Sequence, residues 1–358
     1  MKFFNFILKI VTSVSLVLFF IITINQFINP NFFGLFAVVS LGAPIIIIVN
    51  IILLAYWIIV WDKMAILLAV CFILFSGQVS RHLQIKIKKD KPYEKCDLRV
   101  MTYNVGVFNL WANTKKNSAD SILTFINKQN PDILCMQEFR TTSKRDLNYI
   151  SDALIKMPYR YVSYLSVTNR NSRNHGSGLA IYSKYRLIHG HRVKFKNSTN
   201  GLIYADMVRG RDTLRIINIH LQLSSVKTHE VYELDGSEDK ELAKSIIRKL
   251  INNNSKRADQ AKEVAELIAN SPYKVLLCGD FNDTPASYTY HKIKKGFKDA
   301  FVLKGEGLGY TYNTMFHVLR IDNIFVDDDY YDILSYNSPA LPFSDHNPII
   351  VDLNKVEE

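Results

Sequence analysis

Residues 342–353 read "PFSDHNPIIVDL". The second half has the pattern of a buried strand, with Ile349, Ile350, Val351 and Leu353 in one short apolar run. Pro348 has no N–H to give a ladder, so it suits the first residue of such a strand. That leaves Ser344, Asp345, His346 and Asn347 unexplained. An acid beside an imidazole at a strand's mouth is either a turn or chemistry. The same choice recurs upstream. "MTYNV" ends a strand-like run with Asn104, "MQE" ends one with Glu138, and "INIHL" ends one with Asn218 and His220. "LLCGDFND" ends one with Asp280 and Asn282, and "RIDNIF" carries Asp322. Singly, Asn and Asp at such places are turn and cap residues. Together they put carboxylates, amides and two imidazoles at the ends of short apolar runs that hold each one in place.

That set of residues has a chemistry. Glu138 and Asn104 are hard oxygen ligands, suited to Mg²⁺ or Mn²⁺ rather than zinc. Two histidines near carboxylates offer a base or a proton donor close to neutral pH. Asp280 and Asn282 offer an acceptor and an amide to place a water molecule. The combination describes metal-assisted hydrolysis of a phosphate ester.

In this order the six motifs resemble the endonuclease/exonuclease/phosphatase superfamily, which includes deoxyribonuclease I, apurinic-site endonucleases, sphingomyelinases and inositol-polyphosphate 5-phosphatases. The resemblance covers about Leu98 to Leu353. It implies an α/β fold, a four-layer α/β/β/α sandwich with the site where the loops of the two sheets meet. It also implies roles. Glu138 would be the main metal ligand, with Asn104 assisting and Asp345 near the metal. Asp280 and Asn282 would orient the nucleophilic water and the phosphate, and His220 would hydrogen-bond a phosphate oxygen. His346 would be the general base or a phosphate-contacting imidazole, oriented by Asp322. Asn218 is grouped with the substrate-binding residues. Some nucleases of the family carry an acid two residues after the first Asn. Here that residue is Gly106, which favours a single divalent ion.

The rest of the region from Leu98 fits two packed sheets with helices outside. Strand-like runs outnumber helical ones and come in succession: "GSGLAIYSK", "LIHGHRVKF", "LIYADMVRG" and "TLRIINIHL". Tyr182 in the first of these reads as core. Residues 118–132 and 255–272 are amphipathic helices. Residues 224–255 read as an inserted loop and helix with Leu242, Ile246 and Leu250 on one face, either a surface insertion or a flap that selects substrate. The polar loop 169–178 holds Arg170, Arg173 and His175, an exposed turn or a grip on phosphate.

The first 80 residues are different. Their only charged side chains are Lys2, Lys9, Asp62 and Lys63. Three apolar runs, Ile10–Ile24, Phe32–Trp61 and Met64–Val79, predict an N-terminal bundle of about three transmembrane helices, the second tilting or bending near Gly42 and Pro44. The division is then an anchor over 1–80, a basic juxtamembrane linker over 81–97 and a catalytic domain over 98–358. Six Lys or Arg follow the last run, against three lysines on the other side, so the charge rule for three spans leans toward a cytoplasmic catalytic domain. Of the net charge of +11 the soluble part keeps +6, which permits an anionic substrate without demanding nucleic acid. The four cysteines show no metal spacing and read as free thiols.

The sequence therefore predicts a membrane-anchored, divalent-metal-dependent phosphodiesterase whose substrate ester is lipid, nucleic acid or a small molecule. The alternatives are a nuclease of the same family and a catalytically silent module that binds an anion at a membrane. A silent relative would show gaps among the six motifs, and none is incomplete.

Overall fold

The computed structural model describes residues 2–86, 95–109, 118–141, 145–157, 159, 161–166, 176–224, 226, 240–313 and 317–356. Arg170, Arg173 and His175 fall outside them, as does most of the loop before residue 240.

Among the described residues, twelve strands form two six-stranded sheets. The first sheet has the order β11 (Tyr331–Asn337), β12 (Ile349–Lys355), β1 (Leu98–Asn104), β2 (Ile133–Thr141), β4 (Gly176–Ser183), β3 (Tyr161–Ser166). The second runs β5 (Arg186–Lys194), β6 (Gly201–Arg209), β7 (Asp212–His220), β8 (Lys274–Asp280), β10 (Asp322–Asp327), β9 (Phe297–Asp299). Period-two alternation divides each strand between two cores. Val100, Ile133 and Cys135 meet Ile216, Leu276 and Cys278 between the sheets. Met101, Leu134 and Met136 face outward, packing with Ile122 and Ile126 of α6 (Ser118–Gln129) and with Tyr182. Leu277 and Phe325 of the second sheet pack against Ala261 and Val264 of a long helix, Lys240–Ala269, and against Ile293 of a short one, Tyr288–Lys294. These are the four layers expected.

The pairing explains why the polar motifs converge. β1 and β2 run parallel with Asn104 opposite Gln137, so both end at the same edge. β7 and β8 run parallel with His220 opposite Asp280. β10 is antiparallel to β8 with Asp322 opposite Asp280, so its start lies where β8 ends. β12 is antiparallel to β1 with Ile349 opposite Thr102, which brings Asp345 and His346 to the same rim.

The N-terminal part departs from the expected bundle of three spans. Among the described residues only α1 (Lys2–Asn25) is long and apolar enough to cross a membrane by itself. The second run breaks into α2 (Gly34–Leu41) and α3 (Ala43–Ile59), bent by 59°. The break falls at Gly42 and Pro44, where proline near a helix start cannot continue the preceding ladder. The third run is helical over α4 (Met64–Leu74), whose 11 residues are too short to span, and after a break at Phe75 resumes as the five-residue α5 (Ser76–Ser80). Among the described residues a bundle of three spans is not what forms, since α1 and at most the bent α2–α3 pair have the length and apolar character of a span, and the charge argument for sidedness, which rested on three spans, falls with it. Within this part Asn50 donates to Ser15 of α1 at 2.8 Å and Trp57 to Thr12 at 2.9 Å, tying α3 to α1.

These helices also rest on the sandwich. Asn25 donates to the Ala286 carbonyl at 3.2 Å and Thr284 to the Ser40 carbonyl at 3.1 Å. Gly34 lies so close to Ile251 that a β-carbon there would stand 2.5 Å from its methyl. After α5 (Ser76–Ser80), Arg320 donates to the Arg81 carbonyl at 3.0 Å, and Gln84 pairs with Gly307.

The long helix, labelled α8 with α7 at Arg145–Lys156, joins what the sequence reads as two helices. "NNNS" (252–255) has the composition of a break, yet the helix runs through it. Asn253 donates to the Ser224 carbonyl at 2.8 Å and Asn254 accepts from the Arg257 side chain one turn along the helix, so other partners engage these side chains and they do not compete for the local backbone.

Candidate active site

Glu138 sits on a β-bulge. The pairing of β2 with β4 slips between Met136 and Phe139, and Glu138 has φ of 51°. A bulge re-aims one side chain, and a left-handed glutamate is a strained residue held by its surroundings. Asn282 is also left-handed, with φ of 51°, in the turn after β8. Just before it, Gly279 has φ of 141°, and a β-carbon there would meet the Ile219 carbonyl at 2.1 Å. Only glycine lets β8 approach β7 this closely.

Asp280 is the hub. Its Oδ1 accepts the Asn282 N–H at 2.7 Å, and its Oδ2 accepts from Asn104 at 3.0 Å. His220 Nε2 stands 3.5 Å from that Oδ2 and His346 Nε2 3.8 Å from it. His346 is anchored on its other side, with Nδ1 2.8 Å from Asp322 Oδ2. Asn104 also reaches toward Glu138 at 3.5 Å, and His220 lies 3.9 Å from the same carboxylate. Side chains from all six motifs thus form one continuous polar cluster, and Asp345 stands exposed at its rim.

The two imidazoles are held in opposite states. Burial alone would lower the pKa of His346, but Asp322 and Asp280 outweigh it and hold it well above its ordinary value. His220 is lowered by burial, and its Nε2 has no hydrogen-bond partner. Burial, with Asp322 adding, pushes Asp280 up to about 6. Burial also raises Glu138, with His346 opposing and Asp345 adding.

No lysine or arginine among the described residues pairs with Glu138, Asp280, Asp322 or Asp345. Such a surplus of carboxylate suits a hard divalent cation. Two donor sets could hold one. Ligand atoms of Asp280, Asp322 and His346 lie within 4.8 Å of one another. Their atoms are already engaged, however: both Asp280 oxygens accept N–H groups, and one Asp322 oxygen holds the imidazole. Glu138 has only the long contacts to Asn104 and His220 and is partly open, so its oxygens are free to coordinate. Of the other two residues of the expected set, Asn104 uses its oxygen to accept the Gly106 N–H at 3.1 Å, and Asp345 is exposed at the rim.

One expected residue takes a different place. Asn218 is fully buried, donates to the Met136 and Ala180 carbonyls at 3.0 Å each, and accepts from Gln137 at 2.7 Å. It is a strut between the two sheets and touches no open space. Gln137, the middle letter of "MQE", and Thr311 and Tyr312 are absent from the sequence reading. Thr311 Oγ1 accepts from the Ile321 and Asp322 N–H groups at 3.0 and 3.1 Å, and the Tyr312 ring lies 5.1 Å from that of His346. No local signal marks these positions, because their partners lie in other strands.

The comparisons with known proteins agree with this geometry. No curated protein matches the chain. A family model for a domain of unknown function matches residues 3–82. Among solved structures, the human Nocturnin catalytic domain with bound sulfate anion is 16% identical, with a TM-score of 0.53 over 72% of this chain and 94% of that one. An endonuclease/exonuclease/phosphatase from Beutenbergia cavernae DSM 12333 is 16% identical, with a TM-score of 0.53 over 73% and 72%. A family protein from Leptotrichia buccalis C-1013-b is 14% identical, with a TM-score of 0.54 over 72% and 99%. At such identities these likenesses speak for the fold. The sequence itself carries the assignment: residues 101–346, from β1 to the imidazole beside Asp322, match one family model, and this chain belongs to the Endonuclease/Exonuclease/phosphatase family.

Proposed function

We propose that the chain is a divalent-cation-dependent phosphodiesterase held at a membrane by its apolar N-terminal helix. The observation that carries this reading is the imidazole of His346, fixed by Asp322 at 2.8 Å and facing Asp280 beside the strained Glu138. Glu138 and Asn104, with Asp345 at the rim, would hold one Mg²⁺ or Mn²⁺. When bound, such an ion would neutralise charge on the phosphate and its leaving oxygen.

The chain's own groups divide the remaining work. His346, kept protonated by two carboxylates, donates from Nε2 to a phosphoryl oxygen. Asp280, with its pKa pushed up to about 6, accepts the proton of the attacking water near neutral pH. One P–O bond forms to water and one breaks to the leaving alkoxide, which takes up a proton. The amide of Asn282, tied to the Leu221 carbonyl at 3.1 Å, orients the phosphate, and neutral His220 donates to a second oxygen.

The test is Mg²⁺-dependent hydrolysis of bis(p-nitrophenyl) phosphate by the full chain in detergent. Glu138→Ala and His346→Ala should each abolish it. Undiminished hydrolysis in both variants rejects the reading.

A further inference from the structure

The polar cluster is one end of a larger cavity of about 400 Å³, within the range of small-molecule sites. Glu138, Asn282 and His346 line that end. The rest is mostly apolar and comes from four separate parts of the chain: Leu41 and Ile45 at the bend between α2 and α3, Leu223 and Val226 after β7, Ile246 and Leu250 on α8, and Val318 and Leu319 before β10. Hydrolysis of a phosphate group needs none of these side chains. A nucleic-acid strand would call for cations and stacking aromatics along its path. Among the described residues of the lining, Tyr312 is the one tyrosine, phenylalanine or tryptophan, and no lysine or arginine belongs to it.

The apolar lining also continues outward. Ile45 at the bend, Leu35 on α2, Leu223 after β7 and Ile247 on α8 are all exposed. The bend belongs to the apolar N-terminal part, which rests on the sandwich through Ser40 and Gly34. The cavity therefore opens from the phosphate-handling cluster toward the segment of the chain suited to hydrocarbon.

We infer that the substrate is an amphiphilic phosphodiester whose alkyl or acyl chain lies in this groove, between the α2–α3 bend and α8, while its phosphate meets Glu138 and His346. The inference rests on the phosphodiesterase reading above and names its substrate class. The α2–α3 bend is then a specificity element as well as an anchor.

Two esters with one leaving group test it: p-nitrophenyl hexadecyl phosphate and p-nitrophenyl methyl phosphate, in the same mixed micelles, with Mg²⁺ and the full chain. The quantity read is the ratio of their kcat/KM values, which corrects for any loss of folded protein. Each buried methylene favours binding several-fold, so the wild-type ratio should be at least roughly 100. Leu41→Asp and Leu250→Asp should each bring it down by at least roughly ten-fold, since a carboxylate would face the chain. A second readout does not require turnover: hexadecylphosphocholine should bind Glu138→Gln more tightly than it binds Glu138→Gln/Leu41→Asp. A ratio near one in the wild type, or equal ratios in wild type and variants, overturns the inference while the phosphodiesterase reading stands. The same holds if a single-stranded oligonucleotide is hydrolysed faster than the hexadecyl ester and is indifferent to both substitutions. Hydrolysis of neither ester overturns the phosphodiesterase reading. Amphiphile binding that ignores Leu41→Asp overturns the groove whatever the hydrolysis shows.

Discussion

The two ends of the cavity are built by different means. The polar end stands on strand ends, and its parts are placed by short directional contacts: 2.7 Å at Asp280, 2.8 Å between His346 and Asp322. The apolar end stands on helices and loops from distant parts of the chain and is defined by shape alone. The contrast follows from the two tasks. A proton moves only between atoms within hydrogen-bond reach, so catalysis needs neighbouring strands in fixed register. A hydrocarbon chain needs only a surface without water, which helices with loosely specified side chains supply.

The contrast gives an ordered set of expectations. The largest effect belongs to the polar end. His346→Ala or Glu138→Ala should lower kcat/KM for an aryl phosphodiester by roughly 10³-fold or more per folded protein, and His346→Ala, which leaves Asp322 buried without its cation, should also lower the melting temperature. Retained activity would mean that placement at the strand ends does not matter. Asp322→Asn, which keeps the shape but weakens the hold on His346, should cost about 10²-fold, mainly in kcat. An effect confined to KM would make Asp322 a binding residue.

The next effect lies where the two ends are joined. Arg257 of α8 is fully buried, 3.3 Å from Asp283 in the turn after β8, and donates to the Gln222 carbonyl at 2.8 Å. Arg257→Ala leaves Asp283 buried without its cation, a loss of about 3–5 kcal/mol by analogy with other broken buried pairs. Thermal unfolding in detergent measures it. A loss below about 1 kcal/mol would show that α8, and with it the apolar wall, is held by other contacts.

The smallest effect concerns the segment that follows the helices. His82 is buried, its Nδ1 3.0 Å from the Gln78 carbonyl. Burial pushes its pKa down to about 3, with the Gln78 carbonyl opposing and the charges of Arg320 and Arg81 adding. The folded protein keeps this ring neutral, while the unfolded chain takes a proton below its ordinary value of 6.5. The stabilisation is complete above pH 6.5 and is lost as pH falls toward 3, by at most about 1.4 kcal/mol per pH unit. His82→Gln should flatten the fall in melting temperature between pH 6.5 and 4.5. An unchanged slope would show that the ring protonates in the folded state.

What could be read in advance divides along the same line. The six motifs place a carboxylate, amide or imidazole at the end of an apolar run, and strand periodicity is local, so Glu138, His220, Asp280, Asp322 and His346 were legible as one set. Asn218 reads like its neighbours because the letters do not say which face of a strand is covered. Its neighbours Ile217 and Ile219 point to the outer core. Asn218 itself points to the gap between the sheets, where Gln137 and two carbonyls engage it. The three apolar runs were legible as apolar, but the number of spans was not. Whether a run continues as one straight helix depends on how Gly42, Pro44 and Phe75 turn the backbone.

The sequence by itself determined the chemistry: which oxygen and nitrogen donors the chain owns and that they sit where strands stop, because β periodicity and turn residues act over a few positions. The tertiary structure alone decided what surrounds them. It brought the bend at Gly42 and the face of α8 to the open side of Glu138, although more than 180 residues separate these parts along the chain. Apolar contact is non-directional and leaves no local mark, so only packing could show which apolar side chains face the cleft and which face the core.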